Sequence, residues 1–179
     1  MSRLNCRRDG VTLIEVTIGV FIVSLLLAAV MNLFGAGMRG SKKGMAHLTN
    51  MESAAILMSQ IEYDLLRSVD LLDPAPGVSD KVARWKILTP EGEGTIIYNL
   101  LPGGIERKLD AGSDDQKYLY CKGLDVKLAF RHVTFDSAPG SEAKAGMWVE
   151  LSVASPKKLG STEEFKMKRL ILCRNISAL

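Results

Sequence analysis

The chain has 179 residues, enough for one globular domain in addition to a long apolar segment near the N-terminus. Its formal net charge is only +3, and three arginines and one aspartate within residues 1–10 account for +2 of it. The later basic groupings, Lys157-Lys158 and Lys166 with Lys168 and Arg169, are typical of a solvated turn and of the outer face of a strand. Because a nucleic-acid-binding surface needs clustered Lys and Arg, the composition argues against nucleic acid as a partner.

Residues 11–34 form a run composed almost entirely of Val, Ile, Leu, Phe, Ala and Met. At about 1.5 Å per residue, a helix of this length crosses the roughly 30 Å hydrocarbon core of a bilayer. The exception is Glu15, which lies one helical turn inside the run. Since a carboxylate is costly in lipid, its position predicts a specific partner or a function for it.

The residues around Glu15 form a motif. A short basic leader ends in Gly10, and Val11-Thr12-Leu13-Ile14-Glu15 and the apolar helix follow. This pattern resembles the class III signal of type IV pilins and pseudopilins, although that family usually has Phe where this chain has Val11. The resemblance implies that a membrane-embedded prepilin peptidase cleaves between Gly10 and Val11 and methylates the new amine of Val11. It also implies that Glu15 pairs with the N-terminal ammonium of a neighbouring subunit, which offsets the cost of placing each charge alone in lipid.

Three simpler explanations compete for this segment. An ordinary secretory signal has an apolar core of about 7 to 15 residues, and this run is longer, although Gly35-Ala36-Gly37 imitates its cleavage site. A twin-arginine signal would use Arg7-Arg8, but that pair runs into the span almost at once. A plain signal anchor explains the hydrophobicity but not Gly10 followed by Glu15. Basic residues flank the run on both sides, so the orientation, with the leader in the cytoplasm, rests on the resemblance.

Four glycines within residues 35–44 predict a hinge, because each costs a helix about 1 kcal/mol relative to Ala. From Met45 a helical pattern resumes, with an apolar stripe that we expect to pack on a sheet. The helix is predicted to end at Asp73-Pro74, where proline cannot continue it. The stripe comprises Met45, Leu48, Met51, Ala55, Met58, Ile61, Leu65, Val69 and Leu72, and the opposite polar face comprises Asn50, Glu52, Ser59, Glu62 and Arg67.

From residue 82 onward the pattern changes to strands separated by turns rich in Gly and Pro. Residues 90–94 and 102–104 predict turns, the second within a hairpin. Apolar residues at 149, 151 and 153 alternate with Trp148, Glu150 and Ser152, which predicts one buried sheet face. The predicted strands are Val82–Thr89, Thr95–Leu101, Ile105–Leu109, Tyr118–Lys122, Leu124–Val133, Met147–Ala154 and Phe165–Asn175.

A long helix followed by antiparallel strands predicts an α+β domain over residues 45–179, with the helix laid across a sheet. Type IV pilins share this architecture. Within that family, the order of the hairpin at 96–109 and of the strands at 123–130, 147–153 and 166–173 is similar to the J-type minor pseudopilin of type II secretion.

Two cysteines remain outside the leader, because Cys6 lies within it. If the domain is exported, Cys121 and Cys173 face an oxidising compartment, where their even number permits a disulfide. The alternative is that they are buried separately in strands as small apolar side chains.

The sequence shows no motif typical of catalysis, of a phosphate-binding loop or of a zinc site. His47 is expected at the surface or in the hinge, and His132 in a strand. Asp110, Asp114 and Asp115 lack the spacing of a known calcium loop, so a solvated turn is favoured. We therefore expect no enzymatic activity, no cofactor and no metal ion.

The resemblance implies a structural subunit, a minor pseudopilin at the tip of a periplasmic filament of type II secretion. It would be held in the inner membrane by a single span, with its C-terminal domain in the periplasm. Its partners would be the prepilin peptidase, other pilins or pseudopilins in the filament or tip complex, and the inner-membrane assembly platform. The alternatives are a minor type IV pilin used in adhesion, motility or DNA uptake, and a signal-anchored periplasmic binding domain that does not polymerise.

Overall fold

The computed structural model describes residues 12–90, 92–111, 115–135, 143–155 and 164–178. The chain divides into two compact units between Lys42 and Lys43. One helix, α1 (Leu13–Leu66), supplies the described part of the first unit and opens the second. Antiparallel strands complete the second unit, so the architecture is α+β, as the sequence predicts.

The described part of the first unit is an apolar helix without a core of its own. Its apolar side chains are exposed along the whole run, for example 86% for Leu13 and 71% for Phe34. The helix is long and apolar enough near the N-terminus to cross a membrane.

The predicted hinge at residues 35–44 has helical backbone throughout. A methyl group added at any of its four glycines would meet no described atom within 4 Å. Packing inside the described structure therefore does not explain why this segment is rich in glycine.

The second unit contains two antiparallel sheets. The strand order is β1-β3-β4-β5-β6 in the first sheet and β2-β7-β8-β9 in the second. The strands are β1 (Ser68–Asp73), β2 (Ser79–Asp80), β3 (Ala83–Thr89), β4 (Gly92–Leu101), β5 (Gly104–Asp110), β6 (Asp115–Tyr120), β7 (Asp125–Phe135), β8 (Ala143–Ala154) and β9 (Glu164–Ala178).

The hairpin between β3 and β4 is tighter than predicted. Thr89 pairs with Gly92, so β4 begins three residues before the predicted start at Thr95. Gly92 has a φ of 131°, a conformation that glycine adopts readily and other residues rarely do. The hydroxyl of Thr89 donates a hydrogen bond of 2.8 Å to the carbonyl oxygen of Gly92, which closes the turn.

The prediction that the helix continues to Asp73 was wrong. α1 ends at Leu66, and β1 begins two residues later and pairs with β3. Ser68 is buried, and its hydroxyl donates a hydrogen bond of 2.6 Å to the carbonyl oxygen of Leu65. Val69 and Leu72 therefore lie in a strand. Their spacing fits a helix, but pairing with β3 outweighs this weak local preference.

The helix packs on the sheets through a face that only partly matches the predicted stripe. Met58, Ile61 and Leu65 are buried as predicted, whereas Met45 and Leu48 are 71% and 60% exposed. Asn50 was predicted on the polar face, and this was wrong. The buried residues of α1 are Asn50, Ala54, Leu57, Met58, Ile61, Asp64 and Leu65.

The side chains that pack against the buried face of α1 come from alternate residues of the strands in both sheets. Trp85 stacks on Tyr98 with ring centroids 5.2 Å apart, and Phe130 of the second sheet contacts both rings edge-on or tilted. The predicted alternation in β8 is confirmed, because Val149, Leu151 and Val153 are buried. The two sheets and α1 therefore share one hydrophobic core.

Candidate functional site

Glu15 is the predicted site residue that the structure describes, whereas Gly10 and Val11 lie outside the described residues. Glu15 and Thr12 form a capping box at the start of α1. The carboxylate oxygen Oε2 of Glu15 accepts hydrogen bonds from the backbone N–H of Thr12 at 2.9 Å and from its hydroxyl at 3.0 Å. In return, the N–H of Glu15 donates to the Thr12 hydroxyl oxygen at 3.4 Å.

The capping box explains how a carboxylate is held at this point of an apolar helix. The first N–H groups of a helix lack internal partners, and a Thr-x-x-Glu sequence satisfies two of them reciprocally. The negative charge also lies near the positive end of the helix dipole. The Thr12-x-x-Glu15 spacing directly before an apolar run is the sequence signal of this capping box, which was not predicted.

The two carboxylate oxygens of Glu15 differ in their contacts. Both bonds from Thr12 end on Oε2, and among the described residues no donor contacts Oε1. The surrounding side chains are apolar and exposed, including Ile14 at 67% and Ile18 at 54%. One acceptor oxygen is therefore available to a cation or donor from outside the helix.

A second carboxylate of α1, Asp64, is 1% exposed and lies at the centre of a polar cluster between the helix and the first sheet. Arg107 on β5 binds it with two bonds, from Nε to Oδ2 at 2.6 Å and from Nη2 to Oδ1 at 3.0 Å. The hydroxyl of Tyr98 on β4 donates to Oδ2 at 2.7 Å, and the side-chain amide of Gln60 donates to Oδ1 at 3.2 Å. We call Asp64, Tyr98, Arg107 and Gln60 the buried polar cluster.

The electrostatics of the buried polar cluster favour a charged pair. Burial alone would lower the pKa of Arg107, but the hydrogen bonds that it donates to the Asp64 carboxylate and the negative charge of that group raise it above the ordinary value. Burial, followed by the proximity of Asp64, raises the pKa of Tyr98, which keeps the phenol protonated as a donor. Every oxygen of Asp64 is thus saturated, and the cluster joins the helix to two strands rather than offering a free ligand site.

Asn50 makes a second polar contact from the buried face of α1. Its side-chain oxygen Oδ1 accepts a hydrogen bond of 3.1 Å from the hydroxyl of Ser155, which follows β8. Both Asn50 and Ser155 are buried. The sequence signal for Asn50 and Asp64 is their spacing, since residues 14 apart return to the same helical face after about four turns.

The two cysteines are free thiols in the structure. Cys121 contacts the carbonyl oxygen of Ser53 at 3.8 Å, and Cys173 lies beside Ser68, beyond the end of α1. Ser53 and the helix end are separated by roughly 20 Å of helix, whereas a disulfide requires Cα atoms within about 7 Å. The structure therefore has two separate thiols. Cys173 is buried in β9, as the alternative predicts, whereas Cys121 is half-buried and lies in a bend after β6. Burial raises the pKa of Cys121 to about 11, which keeps its thiol protonated.

The histidines and aspartates do not assemble into a site. His132 on β7 is 8% exposed, and burial lowers its pKa. The ring of His47 contacts Phe165 edge-on at 6.0 Å. Asp110 lies 3.9 Å from Lys108, and Asp114 is outside the described residues. Within the part of the chain that the structure describes, no group of three or more His, Cys, Asp or Glu side chains is placed to hold a metal ion.

The outer face of the second sheet carries acidic and basic side chains that pair within and between neighbouring strands. Glu164 accepts bonds from Ser152 and from Lys166, the latter at 3.0 Å, and Glu150 pairs with Lys168. An open groove of about 940 Å³ crosses this face. Its charges pair with one another across neighbouring strands, which is typical of a solvated sheet surface.

Comparisons of the chain with protein-family models, with curated proteins and with solved structures find no match.

Proposed function

We propose that this chain is a membrane-anchored structural subunit of a filament, a minor pseudopilin of type II secretion. The observation that carries the proposal is Glu15, a carboxylate in an exposed apolar helix, one of whose oxygens has no donor among the residues that the structure describes. Such a group has little use in a simple anchor, where it only raises the cost of residence in lipid.

The proposed assembly step is the one that the resemblance to type IV pilins implies, and it uses the available oxygen of Glu15. Cleavage after Gly10 would create an ammonium group at Val11. The Oε1 atom of Glu15 in a neighbouring subunit would accept a hydrogen bond from this group. Two isolated charges in a medium of low dielectric constant are each unfavourable, so bringing them together stabilises the contact between subunits. The exposed apolar faces of the spans would then pack against each other in the filament core.

The α+β unit supports the same proposal less specifically. A helix that continues from an apolar span into a domain and packs there on antiparallel sheets is the arrangement of type IV pilins. The order of the hairpin and later strands favours a J-type subunit, for which we propose a position at the filament tip. The proposed partners are the prepilin peptidase, the other pseudopilins and the assembly platform of the inner membrane.

The decisive experiment compares filament incorporation of the native chain with that of Glu15→Gln. The substitution removes the charge and keeps the size, so we expect normal membrane insertion and a strong loss of incorporation, measured by cross-linking in sheared filament fractions. Glu52→Gln is the matched control, because Glu52 is an exposed carboxylate on the same helix outside the apolar run. Mass spectrometry of the mature N-terminus should show a methylated Val11, and an intact leader would contradict the proposal.

A second candidate, a signal-anchored domain that does not polymerise, is favoured by the capping box. Because Thr12 already satisfies Oε2, Glu15 does not strictly need a neighbour. This candidate predicts no cross-links between spans carrying Val20→Cys and no effect of Glu15→Gln. A third candidate, a minor type IV pilin, would use the same assembly step. It would copurify with the proteins of a type IV pilus instead of those of a type II secretion system.

A further inference from the structure

The basic residues that follow the apolar run belong to none of the contacts described above. Arg39 and Lys42 are exposed, lie three residues apart on the helix and therefore share one face. Lys43 follows directly and is also exposed. Among the described residues, no carboxylate forms an ion pair with any of the three.

The surrounding sequence leaves this positive charge uncompensated. Between Glu15 and Glu52 the chain contains no Asp or Glu, and its only Lys or Arg residues are these three. A segment of 36 residues thus carries a charge of +3 concentrated within five positions. We call Arg39, Lys42 and Lys43 the basic collar.

The distance of the basic collar from the apolar run matches the headgroup layer of a bilayer. Arg39 is five residues beyond Phe34, about 8 Å along the helix, and Lys43 is about 14 Å beyond it. The headgroup layer adds roughly 5 to 8 Å on each side of the hydrocarbon core, and long basic side chains can reach back toward it. Phe34 and Met38 precede Lys42 at intervals of four residues and are 71% and 61% exposed, which suits contact with acyl chains below the basic collar.

We infer that the basic collar binds the phosphate groups of anionic lipids on the domain side of the membrane and so fixes the depth of the span. This inference rests on the proposed membrane-anchored function. Removal of residues 1–10 would take away Arg3, Arg7 and Arg8, so the basic collar would hold the only Lys and Arg side chains that flank the span, opposite the new ammonium group of Val11. Anionic lipid would then oppose extraction of the subunit into a filament, and the lipid composition would tune assembly.

The inference is tested with the full chain in vesicles of equal parts phosphatidylglycerol and phosphatidylcholine. The chain is solubilised in mild detergent and purified, and the retained lipids are quantified by mass spectrometry. Each basic side chain near an anionic surface favours binding about fivefold, so we expect the ratio of phosphatidylglycerol to phosphatidylcholine among the retained lipids to be at least about fivefold that of the vesicles. Arg39→Gln, Lys42→Gln and Lys43→Gln together should return the ratio to that of the vesicles.

A matched control replaces three basic residues of the second unit, Lys81→Gln, Arg84→Gln and Lys86→Gln, and should keep the enrichment. A native chain without enrichment, or a control that loses it equally, would overturn the inference. An alkaline wash of the vesicles distinguishes failure of this inference from failure of the proposed function. Release of the native chain from vesicles contradicts the membrane span itself, whereas retention without lipid enrichment contradicts only the role of the basic collar.

Discussion

Two carboxylates of the same helix are held in opposite ways. Glu15 is bonded by a residue three positions away, and one of its oxygens has no donor among the described residues. Asp64 is bonded by residues 34 and 43 positions away, and both of its oxygens are used. The difference separates an acid that can accept a further partner from one whose partners are already supplied by the fold.

The difference also predicts where each acid contributes free energy. A buried ion pair that loses one partner leaves an uncompensated charge, which is strongly unfavourable. When an exposed acid loses its charge, no buried partner is left unpaired. The free energy of unfolding of the domain therefore stays nearly unchanged. Asp64 is therefore a determinant of stability, whereas the role in association that we propose for Glu15 does not involve the folding of the domain.

The largest expected effect is that of Asp64→Ala. This substitution leaves Arg107 buried without its anion, and we expect a loss of about 3 to 5 kcal/mol in the free energy of unfolding. Urea unfolding of a fragment covering residues 43–179 measures it. Glu52→Ala on the exposed face of the same helix is the control and should change stability by less than about 0.5 kcal/mol. A loss below about 1 kcal/mol for Asp64→Ala would contradict the conclusion that Asp64, unlike Glu15, determines the stability of the domain.

A smaller effect is expected for Tyr98→Phe. The phenylalanine keeps the stacking on Trp85 but removes the donor to Oδ2 of Asp64. A hydrogen bond to a charged group contributes about 1.5 to 3 kcal/mol, and the same unfolding assay should show a loss in that range. Tyr118→Phe is the control, because Tyr118 is half exposed and its hydroxyl bond to Gln116 is long, at 3.4 Å.

A third carboxylate, Glu164, is intermediate between Glu15 and Asp64, because its partner Ser152 lies on the neighbouring strand, 12 positions earlier in the chain. The hydroxyl of Ser152, with help from Lys166, lowers the pKa of Glu164 to about 2. Its contribution to stability is therefore present above the ordinary pKa of 4.5 and is lost as the pH falls toward 2. Ser152→Ala should raise this pKa toward its ordinary value in an NMR titration, and Lys127→Gln should raise it less. An unchanged pKa in Ser152→Ala would show that the hydroxyl is not its main cause.

The smallest expected effect is that of Glu15→Gln on folding. In the full chain in detergent, this substitution should leave the melting temperature of the second unit unchanged, because Glu15 contacts only Thr12 among the described residues. Calorimetry measures it, with Asp64→Asn as the positive control. A lowered melting temperature would mean that Glu15 also supports the domain.

The sequence predicts local features well in this chain. The apolar span, the strand alternation in β8 and the hairpin turns depend on neighbouring residues, and the structure has them. The capping box was not predicted, although it is equally local and the Thr12-x-x-Glu15 spacing is its usual sequence pattern.

Features that depend on distant partners were not predictable in the same way. Asn50 is polar, and only the hydroxyl of Ser155 explains why it is buried. Arg107 lies on the same face of β5 as the apolar residues Ile105 and Leu109, and its partner lies 43 positions earlier in the chain. The end of α1 was misplaced for the same reason, since Val69 and Leu72 suit a helix until β3 is available for pairing.

The positions of Cys121 and Cys173 show how the packed part of α1 is fastened to the strands. Cys121 contacts the carbonyl oxygen of Ser53, and Cys173 lies beside Ser68, just beyond the end of the helix. Burial raises the pKa of both thiols, so each packs against the hydrophobic core as a small protonated side chain. Side-chain packing thus fastens this part of the helix at two points about four turns apart.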